Sequence, residues 1–115
     1  MNLVITESSL NTYTLLTLSG EIDLHTYTDM MPFINRYSQD TSTLLLINMQ
    51  QVSYIDSTGL GAIAKCAHHM EKRSGQIYII CNKPQIMTLF DIAGLTKRNI
   101  TLFSSESDLK IAITS

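Results

Sequence analysis

The chain has 115 residues, of which 44% are hydrophobic and 16% are charged, a balance that fits one compact domain spanning 1–115. Its net charge is -2 and its basic residues form no run longer than Lys72–Arg73 or Lys97–Arg98, which argues against a nucleic-acid-binding surface. The apolar runs 43–49 and 77–81 are far shorter than the roughly 20 residues that cross a bilayer, and residues 1–4 do not begin a secretion signal. We therefore expect a cytoplasmic protein without a membrane partner.

Two strands open the chain. Leu3–Glu7 and Tyr13–Ser19 have strand composition, and the short polar stretch 8–12 between them is typical of a connection between antiparallel neighbours. The segment 20–23, Gly-Glu-Ile-Asp, is predicted to break the second strand and to present two carboxylates.

A first helix should follow, because apolar residues recur at helical spacing up to Tyr37. Its start is open. A cap at Thr26 would place Pro32 inside the helix at a cost of about 3 kcal/mol, whereas a cap at Asp29 places Pro32 in the first turn, where its missing N–H is harmless. We favour the Asp29 start.

The centre of the chain reads as strand, helix and strand. Residues 43–49 are apolar on both faces, as in a central strand covered by helices. A helical pattern then begins at Leu60 and ends at Ser74–Gly75, and Ile77–Cys81 is a second buried strand. These three elements predict a right-handed parallel crossover.

The last third predicts a helix, a strand and another helix. Pro84 suits the start of the first helix and Gly94 its end. Ile100–Phe103 is a short strand, and Ser105 with Asp108 can begin a terminal helix. The sequence thus predicts an α/β fold, in which a single mixed sheet, with an antiparallel N-terminal pair and parallel remaining strands, packs with about four helices.

The segment Asp56–Gly61 joins the central strand to its helix, so we expect Ser57 at a helix N-terminus. Such a terminus has unpaired N–H groups and a partial positive charge, and it can hold a serine oxygen or a phosphate. Gly59 and Gly61 are expected to leave the first turn unshielded. A simpler interpretation makes Ser57 the N-cap, with Asp56 in an ordinary turn.

Residues 52–61 closely resemble the phosphorylation segment of the STAS-domain anti-sigma factor antagonists. Gly20–Asp23 and Leu89–Leu95 match the family in the same order. The resemblance implies a single STAS domain over 1–115, with Ser57 as the phosphorylated residue. It further implies a partner-binding set of seven residues: Asp23, Asp56, Ser57, Thr58, Gly59, Leu60 and Gly61. Two departures from the family pattern are Asn48, where Asp is common, and the late position of Pro32.

By the same resemblance, the protein acts by partner switching in bacterial transcription regulation. The unphosphorylated form would bind an anti-sigma factor with GHKL-type serine kinase activity and release the sigma factor. Phosphorylation on Ser57 would end that binding, and a PP2C-type phosphatase would restore it. The alternative is a STAS-like module that binds a nucleotide or another partner protein in a non-transcriptional regulatory or transport complex.

Catalytic and metal sites are not expected, and no cofactor is implied. His68 and His69 lie about two to three helical turns from Ser57, too far to act as its base, and His25 alone does not make a triad. Adjacent histidines point in different directions on a helix, which disfavours a zinc site with Cys66. Cys66 and Cys81 are interpreted as reduced core residues.

Overall fold

The computed structural model describes residues 2–39 and 43–114, and it contains one five-stranded sheet in the order β1-β2-β3-β4-β5. The strands are β1 Leu3–Leu10, β2 Tyr13–Ile22, β3 Leu44–Ile55, β4 Gln76–Ile80 and β5 Ile100–Phe103. The helices are α1 Tyr27–Gln39, α2 Ser57–Glu71, α3 Pro84–Ile92 and α4 Glu106–Thr114, with a 3-10 turn at Leu95–Lys97. The first strand pair is antiparallel and the other three pairs are parallel, which confirms the predicted mixed sheet.

The sheet has a core on each face. The larger core lies under α1, α2 and α3, to which they contribute Met30, Ile63 and Phe90 respectively. The smaller core lies under α4, where Leu109 packs against Leu46 and other sheet residues. Both faces of β3 are therefore covered, as the apolar run at 43–49 predicted.

The β1–β2 connection is tighter than predicted. β1 continues to Leu10, so the turn comprises only Asn11 and Thr12, with Asn11 at φ 56°. Asparagine tolerates this left-handed conformation better than most residues. The polar Ser8 and Ser9 belong to the strand because β1 is an edge strand and their side chains are exposed. The predicted loop at 8–12 was wrong for this reason.

Gly20 does not break the second strand, contrary to the prediction. β2 continues to Ile22, and its pairing with β3 shifts register between Gly20 and Glu21. Gly20 has φ +116°, and a Cβ there would lie 2.0 Å from the carbonyl oxygen of Asn2. The glycine is needed because the N-terminal backbone passes directly over it.

β3 extends six residues beyond the predicted end at Met49, to Ile55. Its pairing with β4 ends at Asn48, so the rest of the strand pairs with β2. Beyond Asn48, side chains provide the hydrogen bonds that β4 no longer makes to the β3 backbone. The Gln50 N–H donates to Asn48 Oδ1 at 2.9 Å, and the Gln50 carbonyl accepts from Lys83 Nζ. Asn48, which departs from the family pattern, thus lies in mid-strand and covers a sheet edge.

The predicted Asp29 start of α1 was wrong. The helix begins at Tyr27, whose N–H donates to the Asp23 carbonyl at 2.9 Å, and Pro32 lies inside it. The turn at 23–26 starts the helix earlier than predicted. Pro32 therefore lies beyond the first turn, which is the part of a helix where proline is tolerated. Pro32 is exposed, and so is Thr28, whose carbonyl loses its helical partner to the proline ring. Water can hydrate that carbonyl, which reduces the cost.

The remaining predicted elements are confirmed with small shifts in their ends. Ser74 at φ 61° follows α2, and Gly94 at φ 74° follows α3. Ser105 Oγ accepts the Asp108 N–H at 3.1 Å at the start of α4. Cys66 and Cys81 are both buried and free, as interpreted. Within 2–39 and 43–114, none of the helices is long and apolar enough to cross a membrane.

Candidate functional site

Two aspartates meet where β2 and β3 end. Ile22 and Ile55 are register partners in the parallel pair, and each is followed by an aspartate, Asp23 and Asp56. The Asp56 N–H donates to the Ile22 carbonyl at 3.0 Å, which ties the two strand ends together. The structure therefore brings both predicted acidic positions to one edge of the sheet.

Asp56 is the N-cap of α2. Its Oδ1 accepts the Gly59 N–H at 3.0 Å, and its Oδ2 accepts the Leu24 N–H at 3.1 Å, across the gap to the β2–α1 connection. Its backbone is extended at φ -101°, as an N-cap requires. The simpler interpretation, with Ser57 as the cap, was therefore wrong. A carboxylate satisfies the helix start and adds a favourable charge at the positive end of the helix dipole.

Ser57 is the first residue of α2, and its side chain is exposed. Because Asp56 performs the capping, the Ser57 hydroxyl makes no side-chain hydrogen bond within the described residues. The hydroxyl is thus presented to solvent at a helix N-terminus, where the N–H groups and the dipole favour an anion. Such a position can hold a phosphate once it is attached.

Asp23 organises the connection between β2 and α1. Its Oδ1 accepts the N–H groups of His25 at 2.8 Å and Thr26 at 3.0 Å. The hydrogen bond from the His25 backbone is the main reason why the pKa of Asp23 is lowered from 3.8. Asp23 is thus a loop-ordering residue as well as an acidic neighbour of the serine.

Sequence reasoning missed Thr26. Its side chain is buried; its Oγ1 donates to the Glu21 carbonyl at 2.7 Å and accepts the Asp23 N–H at 3.0 Å. The signal was present, because a threonine three residues after an aspartate can close a local turn through its hydroxyl. Thr26 therefore closes the turn before α1 and does not cap a helix.

The two glycines of the segment have different roles, which corrects the expectation that both leave the helix start open. Gly59 is buried, and a Cβ there would lie 2.5 Å from Ile22 Cγ2 and 3.1 Å from Ile55 Cγ1. Gly61 is exposed, and a Cβ there would have nothing within 4 Å. Gly59 thus lets α2 approach the strand ends, and Gly61 leaves one side of the first turn uncovered.

Thr58 and Leu60, which also belong to the predicted partner-binding set, are intermediate in exposure between the buried Gly59 and the exposed Gly61. Thr58 and Leu60 are half-buried, and Leu60 packs against the larger core. Ser57 and Gly61 are accordingly the two members of the α2 start that are open to a partner.

The histidines do not converge on the serine or on a metal. His68 and His69 lie in the last turn of α2, about 17–18 Å from Ser57 along the helix at ~1.5 Å per residue. Cys66 faces the core, and its burial raises the pKa of the thiol to about 11, while both imidazoles are exposed. No group of three potential metal ligands occurs in the part of the chain that the structure describes.

Comparison with known proteins identifies the family. The STAS domain model matches residues 3–109. The anti-sigma-B factor antagonist of Staphylococcus aureus (strain NCTC 8325) is 30% identical over 95 residues, which cover 83% of this chain and 88% of that protein.

Solved structures share the fold. An anti-sigma factor antagonist from Mycobacterium paratuberculosis superposes with a TM-score of 0.85 at 21% identity, covering 99% of this chain and 96% of the other. The Bacillus cell fate determinant SpoIIAA in its phosphorylated form superposes with a TM-score of 0.72 at 19% identity, covering 95% and 99%. The resemblance inferred from 52–61 is confirmed, and the chain belongs to the STAS domain family.

Proposed function

We propose that this chain is an anti-sigma factor antagonist whose binding to its anti-sigma factor is controlled by phosphorylation of Ser57. The observation that carries the proposal is the exposed Ser57 hydroxyl at the start of α2, which Asp56 frees from capping. The name of the S. aureus relative supports the antagonist role. A phosphorylated form of the structurally similar SpoIIAA supports control by phosphate.

The partner is an anti-sigma factor with GHKL-type serine kinase activity, which brings nucleotide, metal ion and catalytic base to the hydroxyl. A PP2C-type phosphatase reverses the modification. This chain contributes the acceptor and the surface around it: Asp23, Asp56 and the first turn of α2, from Ser57 to Gly61. It is a binding protein in this scheme, and transcription changes because the sigma factor is released.

The electrostatics of the site explain how phosphate can act on binding while the fold is kept. A phosphoserine adds roughly -1.5 to -2 charges, next to the Asp56 carboxylate and on the edge that carries Asp23. A partner covering this edge would have to strip water from a crowded set of negative charges. Within the monomer, the N-terminus of α2 favours the added charge. Phosphorylation therefore weakens docking and leaves the fold intact.

The first experiment identifies the kinase and the acceptor. The purified chain is incubated with ATP and, in turn, with each GHKL-type serine kinase of its own organism, and the product is mapped by mass spectrometry. We expect one phosphate, on Ser57. Ser57→Ala should take up none and still bind the kinase. Ser53→Ala is the matched control: Ser53 is also exposed and four residues away, and its loss should change nothing.

The second part of the test separates binding from folding. Ser57→Asp should weaken the complex in a pull-down while the Tm remains close to that of the parent chain, and PP2C treatment of the phosphorylated chain should restore binding. Phosphate at another residue, or equal binding by Ser57→Asp and the parent, contradicts the proposal. Loss of a nucleotide or other small ligand in Ser57→Ala would favour the alternative STAS-like binding module.

A further inference from the structure

Leu24 places an apolar side chain in solvent beside the Ser57 site. It is 61% exposed, in the connection between β2 and α1. Its N–H donates to Asp56 Oδ2, the carboxylate that caps α2, at 3.1 Å. The next two residues are held by Asp23 Oδ1 through their own N–H groups. The backbone on both sides of the Leu24 side chain is thus ordered, and the side chain is presented at a fixed place.

This arrangement gives Leu24 no evident role in folding. Single exposed apolar residues are common on protein surfaces and need no explanation by themselves. Leu24 differs because the carboxylates of Asp23 and Asp56 both hold its loop. A side chain on an ordered loop spares the partner the cost of ordering the backbone, so its burial can contribute to affinity.

The surroundings indicate what kind of partner fits. Residues 1–64 contain a single Lys or Arg, Arg36, and that side chain pairs with Glu7 at 3.3 Å. Three acidic residues lie at the ends of the strands that carry the site: Glu21 and Asp23 at the end of β2, and Asp56 after β3. Tyr54, the register partner of Glu21, adds a second exposed hydrophobic side chain, 50% exposed. A complementary surface would combine an apolar cleft with Lys or Arg side chains around it.

We propose that Leu24 is a partner-contacting residue that inserts into an apolar cleft of the kinase-type partner, next to the site that phosphorylates Ser57. This inference rests on the proposed function and extends the partner-binding surface beyond Asp23 and 56–61. The cleft is bordered by basic side chains that meet Glu21 and Asp23, and a phosphate on Ser57 would still have to lose its water for the surfaces to close. Leu24 thereby supplies the apolar contact area that the small Ser57 hydroxyl and the bare Gly61 do not provide.

The test compares two exposed aliphatic residues in different parts of the fold, Leu24 beside the Ser57 site and Ile111 on α4. Leu24→Ala is measured against Ile111→Ala, because Ile111 is 65% exposed on α4, which packs on the smaller core. The partner is the kinase that modifies the parent chain at Ser57. We expect Leu24→Ala to raise the Kd roughly tenfold, as the loss of a buried leucine contact predicts. Ile111→Ala should remain within twofold of the parent.

Kinetics and a conservative variant give further readouts. Leu24→Ala should raise the KM of this chain as a kinase substrate and leave kcat unchanged, since it removes binding that is equal in the ground and transition states. Leu24→Met, which keeps an apolar side chain, should restore affinity. Circular dichroism should show an unchanged fold for all three variants.

A Leu24→Ala complex as tight as the parent complex overturns this inference, and so does an equal loss in Ile111→Ala. Both results leave the proposed function standing, provided that the parent is phosphorylated at Ser57. If the parent is neither bound nor phosphorylated at Ser57 by any of the kinases, the proposed function itself fails.

Discussion

Single atoms decide the geometry at the start of α2. Asp56 uses one carboxylate oxygen for the helix and the other for the loop before α1. Gly59 is buried where a methyl group would collide with Ile22, and Gly61 faces open space. A side chain added at Gly59 should therefore destabilise the fold, whereas one added at Gly61 should not, although the two glycines look equivalent in the sequence.

The two glycines give a matched pair of stability measurements. Gly59→Ala should lower the free energy of unfolding by about 1–3 kcal/mol, because the new Cβ overpacks the contact with Ile22. Gly61→Ala should raise it by about 0.5–1 kcal/mol, since alanine is the better helix residue and meets nothing. Urea unfolding followed by circular dichroism measures both. Equal effects of the two variants would contradict the assigned geometry.

At the level of elements, the strands that carry the site are longer than periodicity indicated. β2 passes through Gly20, and β3 passes Asn48 to deliver Asp56 directly. The helix that connects them, α1, starts early enough to contain Pro32. In each case a contact outweighs the preference of a single residue: the Asn2 backbone lies over Gly20, Asn48 bonds to Gln50, and the turn at 23–26 starts α1.

Pro32 and Pro84 form a second matched pair. Pro32→Ala should raise the free energy of unfolding by about 1–3 kcal/mol, because alanine restores the hydrogen bond to the Thr28 carbonyl. Pro84→Ala, at the start of α3, should lower it by up to about 1 kcal/mol, because that position needs no N–H and proline restricts the unfolded chain. Thermal melts of the two variants should shift in opposite directions. A lower Tm in Pro32→Ala would show that Pro32 does not destabilise α1, and a higher Tm in Pro84→Ala would contradict the role given to Pro84.

The sequence was sufficient where a pattern is repeated along an element. Ile100–Phe103 was predicted to the residue, and the helical pattern that begins at Leu60 corresponds to α2, Ser57–Glu71. It was insufficient where a contact joins distant residues. The bond from Leu24 to Asp56 spans 32 positions, and the passage of Asn2 over Gly20 depends on strand pairing. Neither contact can be predicted from the residues on either side of it in the sequence.

For the whole molecule, the sheet separates a three-helix face from a face covered by α4. The site lies at the end of the sheet where β2 and β3 finish. The two cysteine thiols lie in the interior, away from solvent. Cys66 and Cys81 have at most 2% of their surface exposed, and burial raises the pKa of the Cys66 thiol to about 11. The thiolate of Cys66, which is its reactive form, is therefore scarce, and both sulfur atoms are inaccessible to reagents while the chain is folded.

Thiol labelling should accordingly report on global unfolding. With a disulfide reagent under native conditions, both cysteines should react far more slowly than free cysteine, and the rate should rise with urea in step with the loss of circular dichroism. In concentrated urea both thiols should react at once, which is the control for reagent and reduction. One rapidly labelled cysteine in the native protein would contradict the buried positions.

Because Asp56 holds the helix start, the residue after it is free to vary during evolution. Under the proposed function, a codon change that replaces Ser57 by alanine would leave a descendant permanently active, and a change to an acidic residue would leave it permanently silent. Neither change would be removed by misfolding. Under that function, lineages of this domain would gain or lose regulation in a single mutational step, with the scaffold inherited intact.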